Sequence, residues 1–275
     1  LDAQSADAFT VHTSLLQPAR GTPEISMPAV LAVNIALGGL TAGIWRASNG
    51  HSFWRGFIRG SAAGGAVFAG KRIIAAENPW AWWTGREVAA VASAEVLNAA
   101  EGRPVLDRMA LPLGPLRIHV TTRSGFHVMP KLDLSTSVAA IYVASRKDTK
   151  FGWRESLSSG SLVFLTPEVS GGVGSHAAGV VSIDEFVPDG DFPPLERKRG
   201  VLSHEMVHAA QYDFLSIAWG EPLEDAAARK IPGGVTARRY IDFGLLVPVH
   251  AALNNMMRPK NRPWEKEATA LASGH

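Results

Sequence analysis

The chain contains no cysteine. Disulfide frameworks, thiolate zinc sites, iron–sulfur clusters and cysteine nucleophiles are excluded together. Charge is also scarce. Asp, Glu, Lys and Arg make up 19% of the 275 residues, and 27 basic residues against 25 acidic ones leave a net charge of +2. That balance offers no basic surface for phosphates, so nucleic acid is not an expected partner. There is no GxSxG nucleophile elbow, and Gly171-Gly172-Val173-Gly174 lacks the spacing of a dinucleotide fingerprint and any phosphate-binding lysine. It reads as a loop. Apolar residues, by contrast, reach 46%, which argues against disorder and supplies ample material for a core. The length suits one large domain or a medium one with an appendage. The chain opens on Leu1 and not on Met, as processing of a longer precursor, cleavage of an export signal for instance, would produce.

Residues 1–26 are mixed and polar and read as an N-terminal tail. From Met27 to Trp45 no charge occurs over 19 residues, close to what a helix needs to cross a hydrocarbon layer of about 30 Å. Gly39 and Gly43 form a small-xxx-small pair, and a second small-residue run, Gly60–Gly70, repeats the device. Trp45, Trp54, Trp80, Trp82 and Trp83 edge this region, as interfacial anchors do. Residues 27–85 are therefore expected to form a glycine-rich membrane segment or hairpin, with lipid as one partner and other membrane subunits as another. Asn34, Arg59, Lys71 and Arg72 favour the competing reading, a hairpin buried in protein. If Met27–Trp45 spans a bacterial-type cytoplasmic membrane, the arginines after it belong in the cytoplasm. A returning second segment then places residues 86–275 on the periplasmic side.

Arg86–Ala100 is patterned as a helix. Leu116–Thr121, Val138–Ala144, Ser161–Thr166 and Gly179–Ile183 are short β-rich runs bounded by turn formers. After Pro193 and Pro194 the pattern is helical again, with Asp191 a cap for the helix that follows. Strands followed by helices imply an α+β fold for residues 86–275.

The informative segment is Val201–Phe214, VLSHEMVHAAQYDF. His204 and His208 are four apart, so on a helix both imidazoles face one point in space and can hold one metal ion. Glu205 stands beside the first and can take a proton from a metal-bound water that the ion has acidified. A catalytic zinc usually has three protein ligands. Downstream, Pro263 opens a helix in which Trp264, Ala268 and Leu271 mark a buried face. Glu267 lies within that face and Glu265 about 200° around from it. Glu267 is thus the expected third ligand, with His250 second and Glu265 third. The competing role for Glu267 is a salt bridge to an arginine. An electrophilic helper would be a Tyr, His or Arg. Tyr212, Tyr240 and Arg239 are available, and Tyr240 is the expected one.

In these residues the chain resembles the zincin superfamily of zinc metallopeptidases, and more narrowly the gluzincin type, in which a glutamate on a later helix completes the site. The resemblance implies a zincin-like domain, a zinc cofactor, a peptide or protein substrate, and an edge strand upstream of the motif helix that pairs with that substrate. Ser161–Thr166 and Gly179–Ile183 are the candidates for this strand. Gln211 and Phe214 stand where metzincins carry a glycine and a third histidine, and Leu271 replaces the aspartate that usually follows the gluzincin glutamate. The reading is a membrane-associated zinc-dependent peptidase. The alternative is an accessory subunit of a membrane complex that keeps the scaffold with little or no catalysis.

Overall fold

The computed structural model of the chain describes residues 25–123, 125–167, 174–187, 198–257 and 262–273. The expected tail therefore lies almost wholly outside the described residues, as do Asp191, Pro193 and Pro194. Three long helices come first: α1 (Met27–Ser48), α2 (Phe53–Ile74) and α3 (Pro79–Glu101). Glycines set how closely they pack. Gly64 lies against Asn34, Gly60 against Gly38 and Gly56 against Ala42, so α1 and α2 run antiparallel, and a Cβ at Gly64 or Gly60 would overlap the carbonyl oxygen opposite. The same device joins α2 to α3, where a Cβ at Gly70 would lie 2.6 Å from the Ala89 nitrogen. Asn78 caps α3 by accepting from the Ala81 N–H at 2.9 Å, and Gly102 ends it in a left-handed conformation (φ 72°).

Two small sheets follow. In the first, β1 (Arg108–Leu113), β2 (Leu116–Thr121) and β3 (His127–Asp133) form an antiparallel meander, and β8 (Ile241–Asp242) joins β3 in parallel. The second comprises β4 (Lys150–Phe151), β5 (Leu162–Thr166), β6 (Gly174–Ala177) and β7 (Val180–Asp184), in the order β4-β5-β7-β6. β5 and β7 are parallel, and the outer pairs are antiparallel.

The runs expected at Leu116–Thr121, Ser161–Thr166 and Gly179–Ile183 are the strands β2, β5 and β7. Val138–Ala144, expected as β-rich, belongs instead to helix α4 (Leu134–Ala144). Asp133 decides this by accepting the Thr136 N–H at 2.9 Å, a helix N-cap placed just ahead of an apolar run that has no two-residue alternation.

The later helices are α5 (Trp153–Ser159), α6 (Lys198–Leu215), α7 (Glu221–Ala228), α8 (Gly234–Arg238), α9 (Val247–Met256) and α10 (Pro263–Ala272), with a π-helical turn at Ser216–Gly220 after α6. The expected α+β class holds. Alternation along the strands separates two cores. Val163, Val181 and Ile183 pack with Val201, Leu202 and Met206 of α6, and with Ile74 and Trp82 from the N-terminal helices. Phe164 and Val180 point the other way, to Val143 of α4. α6 thus lies between the second sheet and the three-helix layer, while α10 packs along it and touches α1.

Candidate metal centre

His204 and His208 project from consecutive turns of α6, and both are buried. Their Nε2 atoms are 3.1 Å apart. Glu265, near the start of α10, brings Oε2 to 3.2 Å from His208 Nε2 and 3.4 Å from His204 Nε2. The three atoms form a nearly equilateral triangle of donors. Ligands about 2.0–2.1 Å from a tetrahedral zinc lie about 3.3–3.4 Å from one another, so the spacing suits that ion. Lone pairs that converge in this way need a cation or a shared proton between them. With no metal, a proton takes that place. Burial opposes the charged form of His208, yet the Glu265 carboxylate holds its pKa up at about 9. Burial would likewise raise Glu265, but His208 and His204 hold it well below the usual carboxylate range.

Gln211 fixes the orientation of His208. Its Nε2 donates to the Trp264 carbonyl at 3.1 Å and to Glu267 Oε2 at 2.7 Å. The amide oxygen therefore faces His208 Nδ1, 2.7 Å away, and must accept its proton. That hydrogen bond directs the Nε2 lone pair into the triangle, as an outer partner does for a metal-binding histidine.

The expectation for the third ligand is thereby corrected. Glu265, ranked last from sequence, faces the histidines. The Glu267 carboxylate points away from them, accepting from Asn34 Nδ2 of α1 at 2.6 Å and pairing with Lys71 Nζ of α2 at 2.9 Å. The sequence argument assumed one buried face, but α10 is wedged between α6 and the N-terminal helices and buries two. Glu267's competing role, a salt bridge, is the one it has, with Lys71 in place of the expected arginine. His250 stays close without joining the donors. Its ring lies 5.5 Å from Trp264, and burial, with the nearby charge of His208, lowers its pKa to about 4.

Glu205 is wholly buried, and among the described residues neither carboxylate oxygen has a hydrogen-bond partner. Burial raises its pKa to about 8. Beside it runs β6, where a Cβ at Gly174 would stand 2.7 Å from Glu205 Oε1. Only glycine leaves the acid and the strand backbone in direct apposition. The strands expected to pair with substrate, β5 and β7, are both interior, so that expectation is corrected. Among the described residues the edge on this side is β6, whose four residues fall in a Gly-Ser-His-Ala stretch too short and polar to read as a strand.

Tyr240, the expected helper, is 63% exposed just before β8, where its carbonyl accepts from the Leu132 N–H. No described contact joins it to the centre, and burial was the property its assignment needed. Tyr212 is buried but engaged, its hydroxyl bonded to Ser135 and Asp133. His176 of β6 went unnoticed in the sequence. Its ring stacks 6.4 Å from that of His208. Its Nε2 accepts the Gly179 N–H at 3.1 Å, and burial lowers its pKa well below the usual value. It is a neutral imidazole with its proton on Nδ1. The signal for it was the tight Ala178-Gly179 turn, which folds β6 back on β7 and puts His176 opposite Val181, on the side facing α6.

Comparison of the chain with family models, with curated proteins and with solved structures finds no match. The residues themselves carry the functional argument. The donor set, two imidazoles and one carboxylate, is that of catalytic zinc sites with a position left for water, and the orphaned Glu205 is the group such a site uses as a base.

Proposed function

We propose that the chain is a zinc-dependent peptidase of zincin type, associated with a membrane. The carrying observation is the triangle of His204, His208 and Glu265 atoms with an unpartnered, buried carboxylate beside it. Zinc held by those residues would supply a Lewis acid that polarises a carbonyl and acidifies water. Everything else falls to the chain. Glu205, buried beside the triangle, takes up a proton from the attacking water and later returns one to the leaving amine. The outer edge of β6, where Ser175–Ala177 meet no other strand among the described residues, aligns an extended substrate by main-chain hydrogen bonds. Gln211, tied to Glu267, keeps His208 in the tautomer that exposes Nε2.

Membrane association draws support from α1, which is long and apolar enough to cross a bilayer and has 39% of its apolar window buried against protein. Val33, Leu37, Leu40 and Ile44 make an exposed stripe along it, and Trp54 and Ile58 of α2 are also exposed. The same surface favours the second reading, an accessory subunit that packs this face against other membrane helices.

Elemental analysis of protein purified without a metal-affinity tag tests the site. About one zinc per chain is expected, absent in His204→Ala, reduced in Glu265→Ala, and reached in Glu267→Ala at saturating zinc though with weaker affinity. A parent protein that holds no zinc after reconstitution would remove the proposal. So would peptide hydrolysis that survives Glu205→Gln. Co-flotation with liposomes, lost in Leu37→Glu, checks the membrane part, and co-purifying membrane subunits with no turnover would support the second reading instead.

A further inference from the structure

A cavity of about 450 Å³ lies beside the centre. One wall is a single face of α4 and the turn after it, where Val138, Ala139, Tyr142 and Arg146 recur at helical spacing. Phe243 and Val247 stand opposite, and Ser175 and Ala177 of β6 form part of the floor. His176 and His250, both beside the centre, line it as well. The cavity thus follows β6 and meets the metal site at that strand.

Strand register makes the arrangement specific. Ser175 pairs with Ser182 and Ala177 with Val180, on the side facing α4, while His176 pairs with Val181 on the side facing α6. A strand added to the outer edge of β6 repeats this alternation. Every second side chain enters the cavity, and those between point towards the centre. From Ser135 to Arg146, α4 and its continuation extend about 16 Å at about 1.5 Å per residue, the length of about five residues of extended peptide. Arg146 is half-buried, and among the described residues its guanidinium has no acidic partner. The other charged group on the lining, Glu224, is committed to the backbone N–H groups of Phe243, Gly244 and Leu245 and to Arg238.

We propose that the substrate is an extended peptide paired along β6, with apolar residues at alternate positions in this cavity and a carboxylate against Arg146. The inference rests on the peptidase reading for the word substrate, but the binding mode can be measured without turnover. The full chain carrying Glu205→Gln is titrated by fluorescence anisotropy against labelled short peptides of alternating leucine and serine. One ends in an amidated aspartate, one in a free C-terminal carboxylate and one in an amidated asparagine. A fourth has the leucines contiguous.

At least one carboxylate peptide is expected to bind about tenfold more tightly than the asparagine peptide. Which of the two does so identifies side-chain or terminal recognition. Arg146→Gln should erase that difference, and Val138→Trp, at a 47% exposed position that tolerates bulk, should weaken all alternating peptides. Equal binding of the alternating and contiguous peptides, or a carboxylate preference that survives Arg146→Gln, overturns the proposal. So does binding of a labelled fatty acid, blocked by Val138→Trp, with no peptide bound. Hydrolysis by the parent chain together with indifference to Arg146 and to alternation would sink this inference and leave the peptidase standing. Binding that depends on both, in a chain without zinc or turnover, would do the reverse.

Discussion

α6 carries two buried polar clusters, and they are built on opposite principles. Towards its C-terminal end, Asp213 pairs with Arg86 at 2.9 Å, and Arg117 lies 3.0 Å from Asp133 and 3.3 Å from Asp242. Arg238 closes on Asp242 as well, and Lys131 stands 3.5 Å from it. Each charged group there has an opposite charge within reach. Burial works against the Arg117 guanidinium, but Asp133 and Asp242 hold its pKa above the ordinary value. Two turns earlier on the same helix, Glu205 has no partner and the histidine nitrogens face each other. An orphaned buried carboxylate costs stability. One cluster thus matches every charge with an opposite one, while the other leaves a buried carboxylate alone on the same helix, and that difference is what the proposed zinc would account for.

The largest expected effects divide along that line. Glu205→Gln should lower peptide hydrolysis by about 10²–10⁴-fold while the thermal midpoint stays level or rises, because the substitution removes an acid whose charged form burial disfavours and adds no bulk. Arg117→Met should do the opposite. It strands Asp133 without its cation and strips one of the three that surround Asp242, at a cost of about 3–5 kcal/mol, while zinc content in whatever remains folded is unchanged. Denaturant melts beside activity assays read both. Should Glu205→Gln unfold the protein, or Arg117→Met leave it as stable as before, the contrast between an incomplete and a closed cluster would collapse.

Much of this division was legible in the sequence. The HExxH spacing brought His204, His208 and Glu205 together, because four residues on a helix is a local geometric constraint. The third carboxylate was misplaced by two residues. The helical stripe of Trp264, Ala268 and Leu271 tells which way a helix faces when it has one buried side, and α10 has two. Glu267 could be read correctly only by knowing that Lys71 and Asn34, some two hundred residues earlier in the chain, fold back onto it. The Arg117 cluster left no local signature, since its members come from α3, β2, β3, α6, α8 and β8. Val138–Ala144 shows the reverse failure. Its β-branched and aromatic residues suggested a strand, and a cap one residue before the helix overrode them.

The glycine-packed helices are part of the centre as well as a candidate membrane face. Asn34 and Lys71 hold Glu267, Glu267 holds Gln211, and Gln211 holds His208, so the spacing of α1 and α2 reaches the candidate metal centre through three hydrogen bonds. Gly64→Ala would put a methyl group into the Asn34 carbonyl oxygen, a backbone contact that cannot turn aside. A loss of about 1–3 kcal/mol is expected from overpacking, together with weaker zinc binding, because the helix that carries Asn34 must move. Glu267→Gln keeps the shape and removes the charge, and should reproduce the weaker zinc binding without the helix shift. If Gly64→Ala lowered stability and left zinc affinity untouched, the layer would be a passive cover for the domain.

The smallest effect concerns a carboxylate that belongs to neither cluster. Glu87 on α3 is half-buried beside Arg86 with one oxygen unpartnered, and burial, only partly offset by Arg86, raises its pKa to about 7. Between pH 4.5 and 7 the folded chain therefore holds a proton that the unfolded chain has released. Linkage then requires stability to fall as pH rises through that window and to level off above it. Glu87→Gln should flatten this slope. It should match the parent near pH 4.5 and exceed it by about 1–2 kcal/mol at pH 8, read from denaturant melts at the two pH values. Glu205 titrates higher, to about 8, so its own glutamine variant should flatten a later part of the curve and abolish hydrolysis with it. A shared signature of burial thus separates into two. At Glu87 it costs stability alone, and at Glu205 the same cost is tied to chemistry.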